Sequence, residues 1–205
     1  MRSQPKIHAP VRIGVFGGTF DPPHLGHLIV AERAREQLSL ERVIFVPSNI
    51  TPHKRVQSIG SARERAHLTK LAVRGNSDFE LSNHEVERND VSYTVDTMEF
   101  FHKRYPGAAL YFLLGEDNLR GFRSWKSPER ILELATLAVY HRGKPIDKRA
   151  CRGMLNRIEW LNGEQIPISS SDIRQRVSTG KSIRFLTPEL VRQYILEHSL
   201  YAAIR

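Results

Sequence analysis

Cysteine is nearly absent. Cys151 is the only one in 205 residues, so no internal disulfide can form, which fits a reducing cytoplasm. Long apolar runs are missing as well. The longest is the seven residues 108–114 (AALYFLL), far short of the ~20 needed to span a bilayer. The polar N-terminus lacks an apolar stretch ending at a small-residue cleavage site, so no secretory leader is expected. Glycine (13) and proline (11) show no excess, which excludes fibrous and low-complexity chains. Acidic residues are outnumbered, 22 against 31 Lys and Arg, leaving a formal charge of +9. That balance favours anionic partners. The basic residues are scattered and do not gather beside aromatics, as they would in a nucleic-acid module. The densest stretch, residues 144–157, reads as a solvated loop and helix face. Small-molecule anions are therefore the expected partners, with no nucleic acid and no membrane. The oligomeric state is left open, a homo-oligomer included.

Apolar residues make up 40% of the chain, enough for a core. Residues 11–16 (VRIGVF) and 43–46 read as buried strands, and 109–114 (ALYFLL) as the strongest strand of all. Residues 79–81, 137–140 and 166–168 are shorter strand candidates. Helical spacing is visible over 25–38, 61–74 and 94–104. Serines precede a further helix at 171–178, and Thr187-Pro188 reads as an N-cap and first helical residue for the last one. Strands alternating with helices specify an α/β fold with a doubly wound parallel sheet and ligands at the carboxyl ends of its strands. A short tail at 1–10 followed by one domain over 11–205 is expected.

The first strand runs into Gly17-Gly18-Thr19-Phe20-Asp21-Pro22-Pro23-His24-Leu25-Gly26-His27. This is where a doubly wound fold binds phosphate. Glycines let the backbone approach an anion, and the next helix offers its free N–H groups. There is neither a G-x-G-x-x-G, which disfavours a bound dinucleotide cofactor, nor a P-loop. His24 and His27, three apart at a helix start, can face one point. They could donate to phosphate oxygens, and cationic forms would stabilise charge developing at phosphorus. Asp21, His24 and His27 could also ligate a metal. The abutting Gly-Gly turn points to phosphate instead, and no metal ligands are expected.

The run GGTFDPPHLGH resembles the H-x-G-H signature of the nucleotidyltransferase α/β-phosphodiesterase superfamily. Residues 47–54 (PSNITPHK), 92–97 (SYTVDT), 113–125 (LLGEDNLRGFRSW) and 168–174 (ISSSDIR) resemble, in order, the bacterial nicotinate mononucleotide adenylyltransferases within it. Two departures are Thr51, often proline in the family, and Ser171, often threonine. The resemblance implies a Rossmann-like nucleotidyltransferase fold over 11–205. It also implies adenylyl transfer from ATP to nicotinate mononucleotide in NAD biosynthesis, with Mg2+ accompanying the triphosphate. By similarity, His24, His27 and Arg174 are catalytic. ATP would be held by Gly18, Thr19, Phe20, His24, His27, Gly115, Asp117, Ser169, Ser170 and Arg174. Asn49, His53, Lys54, Thr94 and Trp125 would hold the pyridine nucleotide. N–H groups near Thr94 suit the nicotinate carboxylate, and Trp125 offers a flat face to the ring. Tyr93, Phe100, Phe101, Tyr111 and Phe112 read as core, without ligand roles. Phosphopantetheine enzymes share the first turn but usually carry threonine for the first histidine and lack the S-Y-T-x-D-T segment. Nicotinamide mononucleotide is the closer competing acceptor.

Overall fold

A computed structural model describes residues 9–50, 59–88, 90–141 and 153–202. His53, Lys54 and Cys151 lie outside these described residues. Six strands, β1 (Arg12–Gly18), β2 (Arg42–Pro47), β3 (Phe79–Leu81), β4 (Ala109–Gly115), β5 (Thr136–His141) and β6 (Ile158–Asn162), form one sheet in the order β3-β2-β1-β4-β5-β6. Every pairing is parallel. The α-helices among the described residues are α1 (Leu25–Gln37), α2 (Ala62–Val73), α3 (His84–Glu87), α4 (Thr94–Arg104), α5 (Glu116–Leu119), α6 (Pro128–Leu134), α7 (Ser170–Ser178) and α8 (Glu189–Glu197). The chain winds outward in both directions from β1, so a crevice opens between β1 and β4 at their carboxyl ends.

Alternation along the strands loads both faces of the sheet. Ile13, Val15, Ile44, Val46, Phe112, Leu114 and Val139 pack against Val95, Met98 and Phe101 of α4 and Ile131 of α6. Val43, Phe45, Leu113, Ala138 and Leu161 turn the other way, onto Ala31 and Ala34 of α1. A third cluster, with Leu68 and Ala72 of α2, Ile173 of α7, and Val191 and Ile195 of α8, brings the C-terminal helices against α2.

The structure departs from the sequence reading in three places. The last strand is Ile158–Asn162, whereas residues 166–168 are not in a strand. This is an edge strand in which only Ile158 and Leu161 are buried, so its apolar signal is thin. Three helices, α3, α5 and α6, have no counterpart in the reading. At four to seven residues they carry too few turns for a periodic pattern, and tertiary packing decides them. Finally, Thr187 does not cap α8, whose N-cap is Pro188. The Thr187 hydroxyl is buried and donates to the Pro23 carbonyl at 2.8 Å.

Candidate active site

The turn after β1 is tightly built. Phe20 takes a left-handed backbone (φ 49°) and the Asp21–Pro22 peptide is cis. The Phe20 ring is buried against Phe16, Phe45 and His27, so Phe20 brings its main chain rather than its ring to the turn. A Cβ on Gly18 would come within 2.8 Å of that ring, which is why glycine stands there.

Buried polar contacts hold the turn from several sides. Asp21 is 3% exposed, and its carboxylate accepts from the Ile59 and Gly60 N–H groups (2.9 and 3.1 Å) and from the Tyr201 hydroxyl (2.7 Å). Burial, reinforced by the adjacent Asp21 charge, raises the Tyr201 pKa. Arg174 donates to the Asp21 carbonyl at 2.6 Å and to Ser171 Oγ at 3.2 Å. Ser170 donates to the Pro22 carbonyl at 2.8 Å. Ser169 caps α7 by accepting from Asp172 N–H at 3.1 Å, which leaves its own proton for donation. Thus α1 and α7 bring their N-terminal, positive dipole ends to one turn, although the Leu25 N–H that opens α1 donates to the Leu186 carbonyl at 3.0 Å. His24, His27, Ser169, Ser170 and Arg174 are brought together there.

His24 is the N-cap of α1, and His27 is the third residue inside the helix. Their rings stack at 3.6 Å between centroids. The His24 backbone N–H donates to His27 Nδ1 at 3.1 Å, so a neutral His27 carries its proton on Nε2. His24 is buried, and desolvation lowers its pKa to about 4. At neutral pH the ring is uncharged in the free protein, so the expected cationic form is replaced by a neutral donor at this position. Among the described residues the buried His24 Nδ1 makes no full hydrogen bond, the His27 N–H of the capping box donating to the His24 carbonyl at 2.9 Å. Such an atom costs stability and marks a group retained for another reason. Gly26 follows from this packing, because a Cβ there would sit 3.0 Å from the His24 ring.

Beside the turn, at the ends of β1, β2 and β4, lies a cavity of about 290 Å³. Gly18, Thr19, Gly115, Thr94 and Trp125 line it together, as do Ser48, Glu85 and Ser92. Thr94 is the first residue of α4, so the N-terminus of that helix faces the cavity. Trp125 is half-buried on Phe122 and Phe112, with ring centroids 5.3 and 6.0 Å away. Tyr93 and Phe112, read as core, also line this cavity. Phe112 is 5% exposed and does both, because β4 ends at the cavity floor. Asn49 is fixed by its N–H to Ser92 Oγ (2.9 Å) and its side-chain amide to the Asp90 carbonyl (3.2 Å). Asp117 is exposed on α5, and it is Asn118 of that helix that lines the cavity. Glu85 is buried and accepts from the Thr97 hydroxyl, and desolvation raises its pKa.

Sequence reasoning missed Arg65, the anchoring role of Asp21, and Tyr201. Arg65 had a signal: it lies three residues before Leu68 and seven before Ala72, a charge on the apolar stripe of α2. Tyr201 had none, since it meets Asp21 across 180 positions. Among the described residues, no group of three or more His, Cys, Asp or Glu side chains could hold a metal ion. No helix among them is long and apolar enough to cross a membrane.

A parallel sheet with this winding carries a histidine-bearing, glycine-led turn at its switch point. The model for the cytidylyltransferase-like family matches residues 15–176. A relative from Exiguobacterium sibiricum named "Probable nicotinate-nucleotide adenylyltransferase" is 44% identical over 195 residues, covering 94% of this chain and 100% of its own. Another of that name, from Desulfitobacterium hafniense, is 43% identical over 199 residues, covering 94% and 96%. The Plasmodium falciparum nicotinic acid mononucleotide adenylyltransferase complexed with APC superposes with a TM-score of 0.77 at 20% identity, covering 93% of this chain and 97% of its own. The chain belongs to the nicotinate-nucleotide adenylyltransferases of the cytidylyltransferase-like family.

Proposed function

We propose that the chain transfers the adenylyl group of ATP to nicotinate mononucleotide, giving nicotinate adenine dinucleotide and pyrophosphate in NAD biosynthesis. The observation that carries this reading is the shared border of the two parts of the site. Gly18 and Thr19 line the cavity and lead directly into the histidine turn. A nucleotide phosphate leaving the cavity therefore meets a triphosphate held at the turn. The 5′-phosphate attacks the α-phosphorus in line, and pyrophosphate departs. The attacking group is already an anion, so the protein supplies position and charge stabilisation rather than a base.

His27 Nε2 and the neutral His24 ring donate to the phosphate oxygens. The guanidinium of Arg174, the Ser169 hydroxyl and the first N–H groups of α7 receive the departing phosphates. Ser170 supports them by fixing Pro22. Gly115, which ends β4, and Asp117 of α5 take the adenosine ribose. In the cavity, Trp125 stacks on the pyridine ring, and the N–H groups at the start of α4 receive the nicotinate carboxylate. Asn49 holds the wall beside it, with His53 and Lys54 completing the nucleotide site. Members of this family use ATP with a divalent cation. We take it to be magnesium, carried in by the triphosphate as part of the substrate. The lone Cys151 supports a place in the reducing cytoplasm.

Pyrophosphate release and the mass of the dinucleotide product, measured with ATP, magnesium and nicotinate mononucleotide, test the reading. Formation of nicotinate adenine dinucleotide is expected. Its absence, with turnover of a different phosphate acceptor, overturns the assignment.

A further inference from the structure

Arg65 is 1% exposed, yet among the described residues no carboxylate receives its guanidinium. Its donors fan out to four backbone carbonyls: Nη1 to Thr19 at 2.6 Å, Nη2 to Ser48 at 2.7 Å and Asn49 at 3.1 Å, and Nε to Gly60 at 3.2 Å. Burying a charge against neutral partners is unfavourable, and an apolar side chain would fill the same space at less cost. Burial lowers the guanidinium pKa, and the nearby Asp21 carboxylate offsets this only in part. What the arrangement achieves is geometric. One rigid planar fork locks the end of β1 to the end of β2. Thr19 and Ser48 are cavity wall. The order continues from Asn49, whose N–H donates to Ser92 Oγ at 2.9 Å, and from Ser92, whose N–H donates to the Ile50 carbonyl at 2.9 Å. Ser92 precedes Tyr93 and Thr94 at the head of α4.

We propose that Arg65 is a positioning residue for the pyridine nucleotide, holding the β1–β2 wall of the cavity at the spacing from α4 that the nucleotide requires. This rests on the proposed function. Arg65 also reaches the histidine turn at Thr19, but that turn has further supports in Arg174, Ser170 and Thr187, so ATP binding depends on Arg65 less.

Arg65→Lys tests the proposal, because a single ammonium cannot reach four carbonyls as a planar fork does. Calorimetry with nicotinate mononucleotide and, separately, ATP–magnesium gives two dissociation constants, and a melting curve reports folding. Weakening of the pyridine nucleotide by about tenfold, with ATP changed by less than about twofold, is expected. Equal weakening of both, or no change in either, overturns the proposal, whatever the melting temperature does. A wild-type protein that fails to bind nicotinate mononucleotide contradicts the proposed function, and this inference with it. Wild-type binding with an unchanged ratio in the variant contradicts the inference alone. If Arg65→Lys does not fold, Ser92→Ala severs the far link of the same wall. Selective loss of the pyridine nucleotide then supports the proposal, and unchanged binding overturns it.

Discussion

The histidine turn and the cavity beside it meet at Gly18 and Thr19 but are held in different ways. Long-range contacts fix the turn. Asp21, Pro22 and Pro23 are tied to Arg174, Ser170, Thr187 and Tyr201, all from the C-terminal quarter of the chain. The cavity is walled by strand ends and by the head of α4, with Trp125 and Tyr93 only half-buried. The turn is therefore set before substrate arrives, as electrostatic stabilisation of a transition state requires. The cavity offers surface and a helix end, which suit binding and selection. Chemistry and recognition are thereby divided between the two regions, and each can be perturbed alone.

The largest effect is expected at the turn. His24→Ala or His27→Ala should lower kcat by about 10²–10³-fold, with KM for nicotinate mononucleotide little changed. Steady-state kinetics on folded variants decide this, and a loss confined to KM would erase the division. Protonation perturbs the same region. Above pH 6.5 the His24 ring is neutral in both the folded and unfolded chain and contributes no pH dependence. Between pH 6.5 and about 4 the unfolded chain takes up a proton that the folded one refuses, so stability falls as pH falls and levels off below. The full loss is about 3 kcal/mol. Denaturant titrations of wild type and His24→Asn across pH 7 to 4 should show this contribution in the wild type and its absence in the variant.

Trp125→Ala sharpens the other side. We expect KM for nicotinate mononucleotide to rise by about tenfold with kcat within about threefold, since a stacking face is lost and the turn is untouched. A drop in melting temperature without a KM change would make Trp125 a core residue only. The smallest effect is expected at the far support of the turn. Tyr201→Phe removes one of the three hydrogen-bond donors to the Asp21 carboxylate among the described residues and should cost about 1.5 kcal/mol in denaturant unfolding, with kcat nearly unchanged.

Much of the fold can be read from the sequence where burial is complete. β1, β2, β4 and β5 announce themselves as apolar runs because both faces of the sheet are covered. β6 does not, because Glu159 and Asn162 stand exposed on an edge. The site divides in the same way. The glycines and histidines of the turn form one contiguous stretch with a visible mechanism. Trp125 and Thr94 were legible only through the resemblance that named their segments. The supports were hidden: for Asp21 the sequence offers only an alternative metal role, set aside for the phosphate turn, whereas its carboxylate is held by Ile59, Gly60 and Tyr201, and Thr187 reads as a helix cap, whereas its hydroxyl is held by Pro23. Such contacts join residues far apart in sequence, and no local pattern encodes them.

The division of labour places selection of the acceptor in the cavity, where the N–H groups heading α4 meet the charge of the pyridine substituent. The most direct test compares kcat/KM for nicotinate and nicotinamide mononucleotides with ATP and magnesium. We expect a preference for the acid of about 10²-fold or more, because the amide brings no charge to the helix end. Comparable values for the two nucleotides would contradict the account of the cavity.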